Sequence, residues 1–231
     1  MSSPQKSVIR VWDLPTRLFH WLFAVCVIGA IVTVKSGNVM LMEWHIRFGI
    51  IALALLVFRV IWGLTGSRYA RFTNFVTCPD AVLSYLKARS WPTPGHNPLG
   101  ALSVIALLLC IGVQSVTGLF VTDDILYQGP FHGDVAAKTA TLMRTIHQFN
   151  QYVVVALVLL HLVAIAIYRI KGQRLVRTMV TGDAPASQYA PDSPDARDDL
   201  GIRAWALLLA TGLGVLAWWL IDRALNGAMN F

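Results

Sequence analysis

His147 and His161 lie fourteen residues apart in one apolar run, residues 146–170. At 100° per residue that interval is about 40° short of four turns, so on a helix both imidazoles leave nearly the same face. Along the axis they are about 21 Å apart, roughly two-thirds of a bilayer core of about 30 Å. Imidazole nitrogens ligate haem iron, and a helix face offering one near each side of a membrane is what two stacked haems require. His20 and His45 also fall in apolar runs. Ionisable residues there are rare and face a bundle interior or a cavity. No Asp or Glu lies deep in any of these runs, which disfavours a proton relay. Histidine-based metal transport would want the four ligands clustered at one depth.

The elements that position these residues follow from composition. The 231 residues are 56% hydrophobic and 13% charged, with a mean hydropathy of +0.59. A soluble domain is about a quarter charged, so the chain reads as an all-α integral membrane protein. Residues 18–34, 44–64, 99–121, 146–170 and 203–225 are long enough to span. The first run starts well inside the chain, lacks a small-residue cleavage site and contains His20 and Trp21, so it reads as a mature helix and not a signal peptide. Cys26, Cys78 and Cys110 are widely spaced with no CxxC or CxxCH. That excludes covalent haem attachment and disfavours disulfides and iron–sulfur ligation; any haem would be of b type.

Fourteen of the 19 Lys and Arg residues fall before the first span or around the 2–3 and 4–5 connections. The excess marks those connections as cytoplasmic, with the N-terminus inside and the C-terminus periplasmic. The net charge of +7 is thus a topology signal and not a nucleic-acid footprint. With this topology the second and fourth spans start at the periplasm, so His45 and His147 share a depth. His20, near the cytoplasm, shares one with His161. The pairs His45–His147 and His20–His161 could each clamp an iron from opposite faces.

Asp13 is placed to cap the first helix, with Pro15 in its first turn. Residues 80–89 read as a short interfacial helix, residues 92–98 as a rigid turn and residues 122–139 as a small periplasmic cap. Trp12, Trp21, Trp44 and Trp62 fit an interfacial belt. Haem propionates need cationic partners. Arg59 follows His45 by fourteen residues and drops to the level of the inner pair. Arg17 and Arg144 each precede a ligand histidine by three positions, where propionate pairing and interfacial snorkelling both remain open. Gly29, Gly49, Gly112 and Gly118 suit either close porphyrin approach or close helix packing. His132 reads as a surface or partner-contact residue of the periplasmic loop.

The run Arg10-Val-Trp-Asp-Leu-Pro-Thr-Arg-Leu-Phe-His20, His45 opening the second span, Gly95-His-Asn-Pro-Leu-Gly100 and the His147/His161 pair resemble the bacterial four-helix di-haem cytochrome b superfamily. That superfamily comprises prokaryotic cytochrome b561 proteins, cytochrome b subunits of nickel–iron hydrogenases and formate dehydrogenase membrane subunits. The resemblance covers about residues 8–172. It implies a four-helix bundle over residues 1–172 holding two haem b, with ligands from helices 1, 2 and 4. Residues 173–202 are then expected as a flexible cytoplasmic linker and residues 203–231 as an additional transmembrane helix.

The resemblance also implies a quinone, ubiquinone or menaquinone, near His161, with Asn97 and His96 as candidate contacts; the alternative is a turn that only caps the third span. The implied function is electron transfer across the bacterial inner membrane between the quinone pool and a periplasmic cytochrome c or metalloenzyme. Two alternatives stay open: an enzyme, a superoxide oxidase of cytochrome b561 type, and a relay subunit of a hydrogenase-like complex. Lys35, Arg47, Lys138 and Arg144 would favour the oxidase; Asp123, Asp124 and Asp134 count against it.

Overall fold

Asp13 starts the first long helix. In the computed structural model, which describes residues 6–76, 78–88, 91–124 and 126–226, α1 runs Leu14–Lys35. Asp13 Oδ1 accepts the Thr16 backbone N–H at 2.6 Å, and Pro15 sits in the first turn, where its missing N–H costs nothing. Met42–Thr65 is α2, Phe72–Phe75 the single turn α3, and Pro79–Ala88 the short helix α4. Residue 89, the expected end of α4, lies outside the described residues. Pro98–Gly118 is α5, Ala137–Ile170 α6, Leu175–Thr181 α7 and Leu200–Asn226 α8.

Helices α1, α2, α5, α6 and α8 are long and apolar enough to cross a membrane, one for each expected span. Leu109, Leu160 and Leu207 are among many large apolar side chains they leave exposed. Such continuous apolar surface is stable in lipid and not in water. Two of the differences from the expected bounds have a visible cause or a large size. Helix α5 ends at Gly118 instead of continuing to residue 121, because Phe131 N–H donates to Leu119 O and Gly129 N–H to Val121 O, turning residues 119–121 out of the helix. Helix α6 begins at Ala137, nine residues before the apolar run. Its 34 residues span about 51 Å, well beyond a bilayer core of about 30 Å.

The chain divides into two compact units. The first comprises Met1–Leu18, Arg59–Ala106 and Leu159–Ala206. Its core gathers Ile9, Val11, Trp12, Tyr69, Ala184 and Ala196. Strand β1 (Val8–Arg10) pairs antiparallel with β2 (Asp183–Pro185), Arg10 opposite Asp183. Residues 173–202, expected as a flexible linker, thus hold α7, β2 and a network of ion pairs. Arg10 Nε pairs with Asp183 Oδ1 at 2.9 Å and its Nη1 approaches Asp198 Oδ2 at 3.5 Å. Lys6 pairs with Asp195 at 2.6 Å, Arg203 with Asp198 at 2.9 Å, and Asp198 accepts the Leu14 N–H at 3.1 Å. Gly182 ends α7 in the left-handed conformation, φ 88°. Its carbonyl accepts the Val11 and Trp12 N–H groups, and a Cβ there would lie 2.6 Å from Trp12 O. Only glycine satisfies both demands.

Trp12 and Trp62 are not belt residues. Trp62 is 0% exposed and donates to Asp13 Oδ2 at 3.3 Å, while Trp12 is buried with its ring 4.9 Å from that of His96. A buried carboxylate needs donors, and the indole of Trp62 and the hydroxyl of Ser67 supply them. Trp21 and Trp44 are exposed, as a belt requires.

The second unit comprises Phe19–Phe58, Leu107–Val158 and Leu207–Phe231. Ile50 packs against Ala217, Leu220 and Ala224 of α8, joined by Leu119 and Phe131. Arg223 fastens α8 to the 119–134 connection: its Nε donates to Pro130 O at 2.6 Å, it pairs with Asp134, and its guanidinium lies 5.1 Å from the Phe131 ring centre. Within that connection, Asp123 Oδ1 accepts the N–H groups of Leu126 and Tyr127, both at 2.9 Å. His132 Nδ1 donates to Phe120 O at 2.9 Å, so it braces the loop.

Candidate haem-binding site

In the second unit, α2 and α6 bring His45 and His147 together. Their ring centres are 6.3 Å apart and their planes lie at 88°. His45 Nδ1 donates to Ala30 O at 2.8 Å, and His147 Nδ1 to Gln114 O at 2.9 Å. A carbonyl only accepts, so both rings carry hydrogen on Nδ1 and keep Nε2 as the basic nitrogen. The rings border a cavity of about 490 Å³, also lined by Gly49, Gly118, Gln114 and Arg144. Gly49 has open space where a Cβ would stand, and a Cβ at Gly118 would lie 3.0 Å from His147 Cε1. Gly29 instead makes room for the Phe48 ring. Arg144 pairs with Asp124 while facing this cavity.

Gln114 and Asn150 were missed as site residues. Asn150 Nδ2 donates to Gln114 Oε1 at 2.9 Å and to Cys110 O at 2.8 Å, and Gln114 Nε2 donates to His147 O at 3.1 Å. Two amides inside apolar helices, one of them three residues after His147, were the available signal.

The other expected pair falls in different units, so each residue is described within its own. His20, on α1 in the second unit, is half-buried with its ring edge-on to Trp21 at 5.1 Å. His161, on α6 in the first unit, is half-buried. Also in the first unit, Arg59 is 3% exposed, with its guanidinium 4.8 Å from the Phe72 ring centre and 5.8 Å from that of Phe75. Its Nη1 is buried without a hydrogen-bond partner among the described residues. A buried cation left short of an acceptor suits an anionic group such as a propionate. Arg17 Nη1 donates to Val180 O at 2.6 Å, near the carbonyl end of α7, where a cation is favoured.

Asn97 caps α5: its Oδ1 accepts the Gly100 N–H at 2.8 Å. Its Nδ2 donates to the Tyr168 hydroxyl at 2.8 Å, and the hydroxyls of Tyr168 and Tyr85 are 3.0 Å apart. His96 sits between the rings of Trp12 and Phe75, at 4.9 and 4.6 Å. Burial, then the bond to Tyr168, pushes the Tyr85 phenol up to about 12, so it stays protonated. Among the described residues, no three His, Cys, Asp or Glu side chains gather as a metal-ion cluster.

Five apolar helices and a paired-imidazole cavity are consistent with a multi-pass membrane cytochrome of b type. The family model described as prokaryotic cytochrome b561 matches residues 11–182, and the chain belongs to that family. Two curated relatives are similar over 227 residues, covering 83% of this chain and 93% of each relative. One, from Azotobacter chroococcum mcd 1, is 26% identical; the other, from Azotobacter vinelandii, is 25% identical. Both are named "Probable Ni/Fe-hydrogenase B-type cytochrome subunit". The family implies haem b, and the residues present fit it: basic imidazole nitrogens, a glycine-floored cavity and a buried guanidinium lacking an acceptor.

Proposed function

We propose that the chain holds two b haems, on His45–His147 and His20–His161, and passes electrons between the membrane quinone pool and a periplasmic redox protein. The observation that carries this reading is the His45–His147 arrangement. A metal-bound imidazole nitrogen sits about 2 Å from the metal and its ring centre about 1 Å further back, so two rings on opposite sides of one metal have centres about 6 Å apart. The 6.3 Å separation agrees. Backbone carbonyls hold both rings in the tautomer that leaves Nε2 free, the arrangement that orients metal-ligating histidines generally.

The second pair rests on shared depth, with the N-terminus cytoplasmic and the C-terminus periplasmic. Arg59 would neutralise a propionate of the inner haem, and Arg144 one of the outer haem. Bound there, the haems would supply one-electron redox chemistry. The chain would contribute a pair of histidines to each haem and, around the outer pair, a largely apolar cavity. Moving one electron across the membrane involves about 2.3 kcal/mol per 100 mV, so quinone chemistry on the cytoplasmic side would couple to charge separation.

The names of the two Azotobacter relatives favour a metalloenzyme of hydrogenase type over a cytochrome c as the periplasmic partner. The superoxide oxidase reading needs a positive funnel at the outer pair. Two of the four basic residues expected to form it are paired with carboxylates, Arg47 with Glu43 and Arg144 with Asp124. The test is to follow haem absorbance in oxidised membranes as quinol, superoxide or a hydrogen-reduced hydrogenase is supplied in turn. Reduction by quinol or hydrogenase is expected. Reduction by superoxide alone would overturn the relay.

A further inference from the structure

We infer that Tyr168, Tyr85 and Trp91 form a hydrogen-bond donor face that grips the carbonyl oxygens of a quinone, with Asn97 positioning Tyr168. The inference rests on the quinone-linked reading above and assigns the contacts within it.

Donor counting carries the argument. The Asn97 oxygen is taken by the Gly100 N–H, which fixes the amide so that its nitrogen donates to Tyr168. Of the two phenols 3.0 Å apart, only one donates to the other. Whichever does, the second phenolic hydrogen has no acceptor among the described residues. Beside it, Trp91 stands edge-on to Tyr85, ring centres 6.5 Å apart, with its indole N–H buried and without an acceptor among the described residues. Indole N–H donates only. Among the described residues the cluster therefore holds surplus donors.

An oxidised quinone is the complement, with two carbonyl acceptors and no donor. A buried donor left unpaired, as the Trp91 indole is, costs about 1–3 kcal/mol, so a ligand of this kind relieves that cost. The position agrees. Tyr168 follows His161 by seven residues on α6, about 700°, which puts both on one stripe of the helix roughly 10.5 Å apart along the axis. Asn97, expected to touch the quinone itself, acts through Tyr168, because its oxygen and one of its amide hydrogens are already committed.

The test uses the full-length protein in liposomes with decylubiquinol and a short-chain menaquinol as probes. Haem content and the dithionite-reduced spectrum report integrity. Tyr168→Phe is expected to retain both while raising the quinol KM about tenfold. It is also expected to move the carbonyl stretch of the bound quinone toward its free value in infrared difference spectra. Tyr85→Phe and Trp91→Phe should act in the same direction. Asn97→Ala should raise KM in the wild-type background and add little to Tyr168→Phe. Unchanged KM and unchanged carbonyl stretch in Tyr168→Phe, Tyr85→Phe and Trp91→Phe, with the parent protein turning over, overturn the inference alone. A parent protein that exchanges electrons with neither quinol removes the quinone-linked reading and this inference with it.

Discussion

The Nδ1–H of His147 donates to the Gln114 carbonyl at 2.9 Å, and the Gln114 side-chain amide returns a hydrogen bond to the His147 carbonyl at 3.1 Å. One residue of α5 thus holds His147, the proposed ligand on α6, at its ring and at its backbone. The Asn150 amide closes the arrangement by donating to Gln114 Oε1 at 2.9 Å.

Outer-shell partners of metal ligands typically matter about 10–100-fold in metal affinity. Gln114→Leu keeps the backbone acceptor but removes the returning bond and one of the two acceptors of the Asn150 amide, leaving it Cys110 O. It is expected to weaken haem retention at the outer site about tenfold, read as faster haem transfer to apomyoglobin, with the inner haem retained.

Arg59 is a buried cation against the Phe72 and Phe75 rings, with one nitrogen lacking an acceptor among the described residues. Removing a positive charge near a haem favours the oxidised, more positive form. Arg59→Gln is therefore expected to lower the midpoint potential of the inner haem. A charge about 10 Å away at an effective dielectric of about 20 contributes on the order of 1–2 kcal/mol, or some tens of millivolts for one electron. Potentiometric titration followed in the haem bands checks the sign; an unchanged or raised potential contradicts the propionate assignment.

The Asp195 carboxyl is held below the usual carboxylate range by the hydrogen bond from Lys6, helped by the Arg10 backbone N–H. A depressed native value means the carboxylate contributes stability that is fully present above its ordinary value of 3.8 and is lost as pH falls through the lower native one. The β1–β2 amides should therefore keep their hydrogen-exchange protection at pH 5 and lose part of it below about pH 4. Asp195→Asn should flatten that dependence. Both groups are largely exposed, so the loss is a local loosening and not global unfolding.

The spans were legible because a helix in lipid must be apolar over a fixed length, and His45 and His147 because imidazole inside such a run demands a reason. The Asp13 cap was legible because its signal is local: Asp, then Pro two residues on. What escaped reading depends on contacts between distant residues or on polar helix outside the membrane. The start of α6 at Ala137 carries Lys138, Thr139, Thr141 and Arg144 and so lacks an apolar signature. Residues 173–202 look like a linker by composition, yet Asp183, Asp195 and Asp198 answer Arg10 and Lys6 more than 170 positions earlier in the chain. Trp62 looked like a belt residue because nothing local shows that Asp13, 49 positions away, needs its indole. The Asn97–Tyr168 link spans 71 positions and is equally silent in the sequence.

The central claim is two bis-histidine haems with His45 and His147 sharing one of them, and haem stoichiometry tests it most directly. Pyridine haemochrome analysis of the purified protein is expected to give two b haems per chain. His45→Ala and His147→Ala should each give one haem, with the same surviving low-spin spectrum. His20→Ala and His161→Ala should each leave the other haem. A single haem in the parent protein, or His45→Ala and His147→Ala sparing different haems, would contradict it.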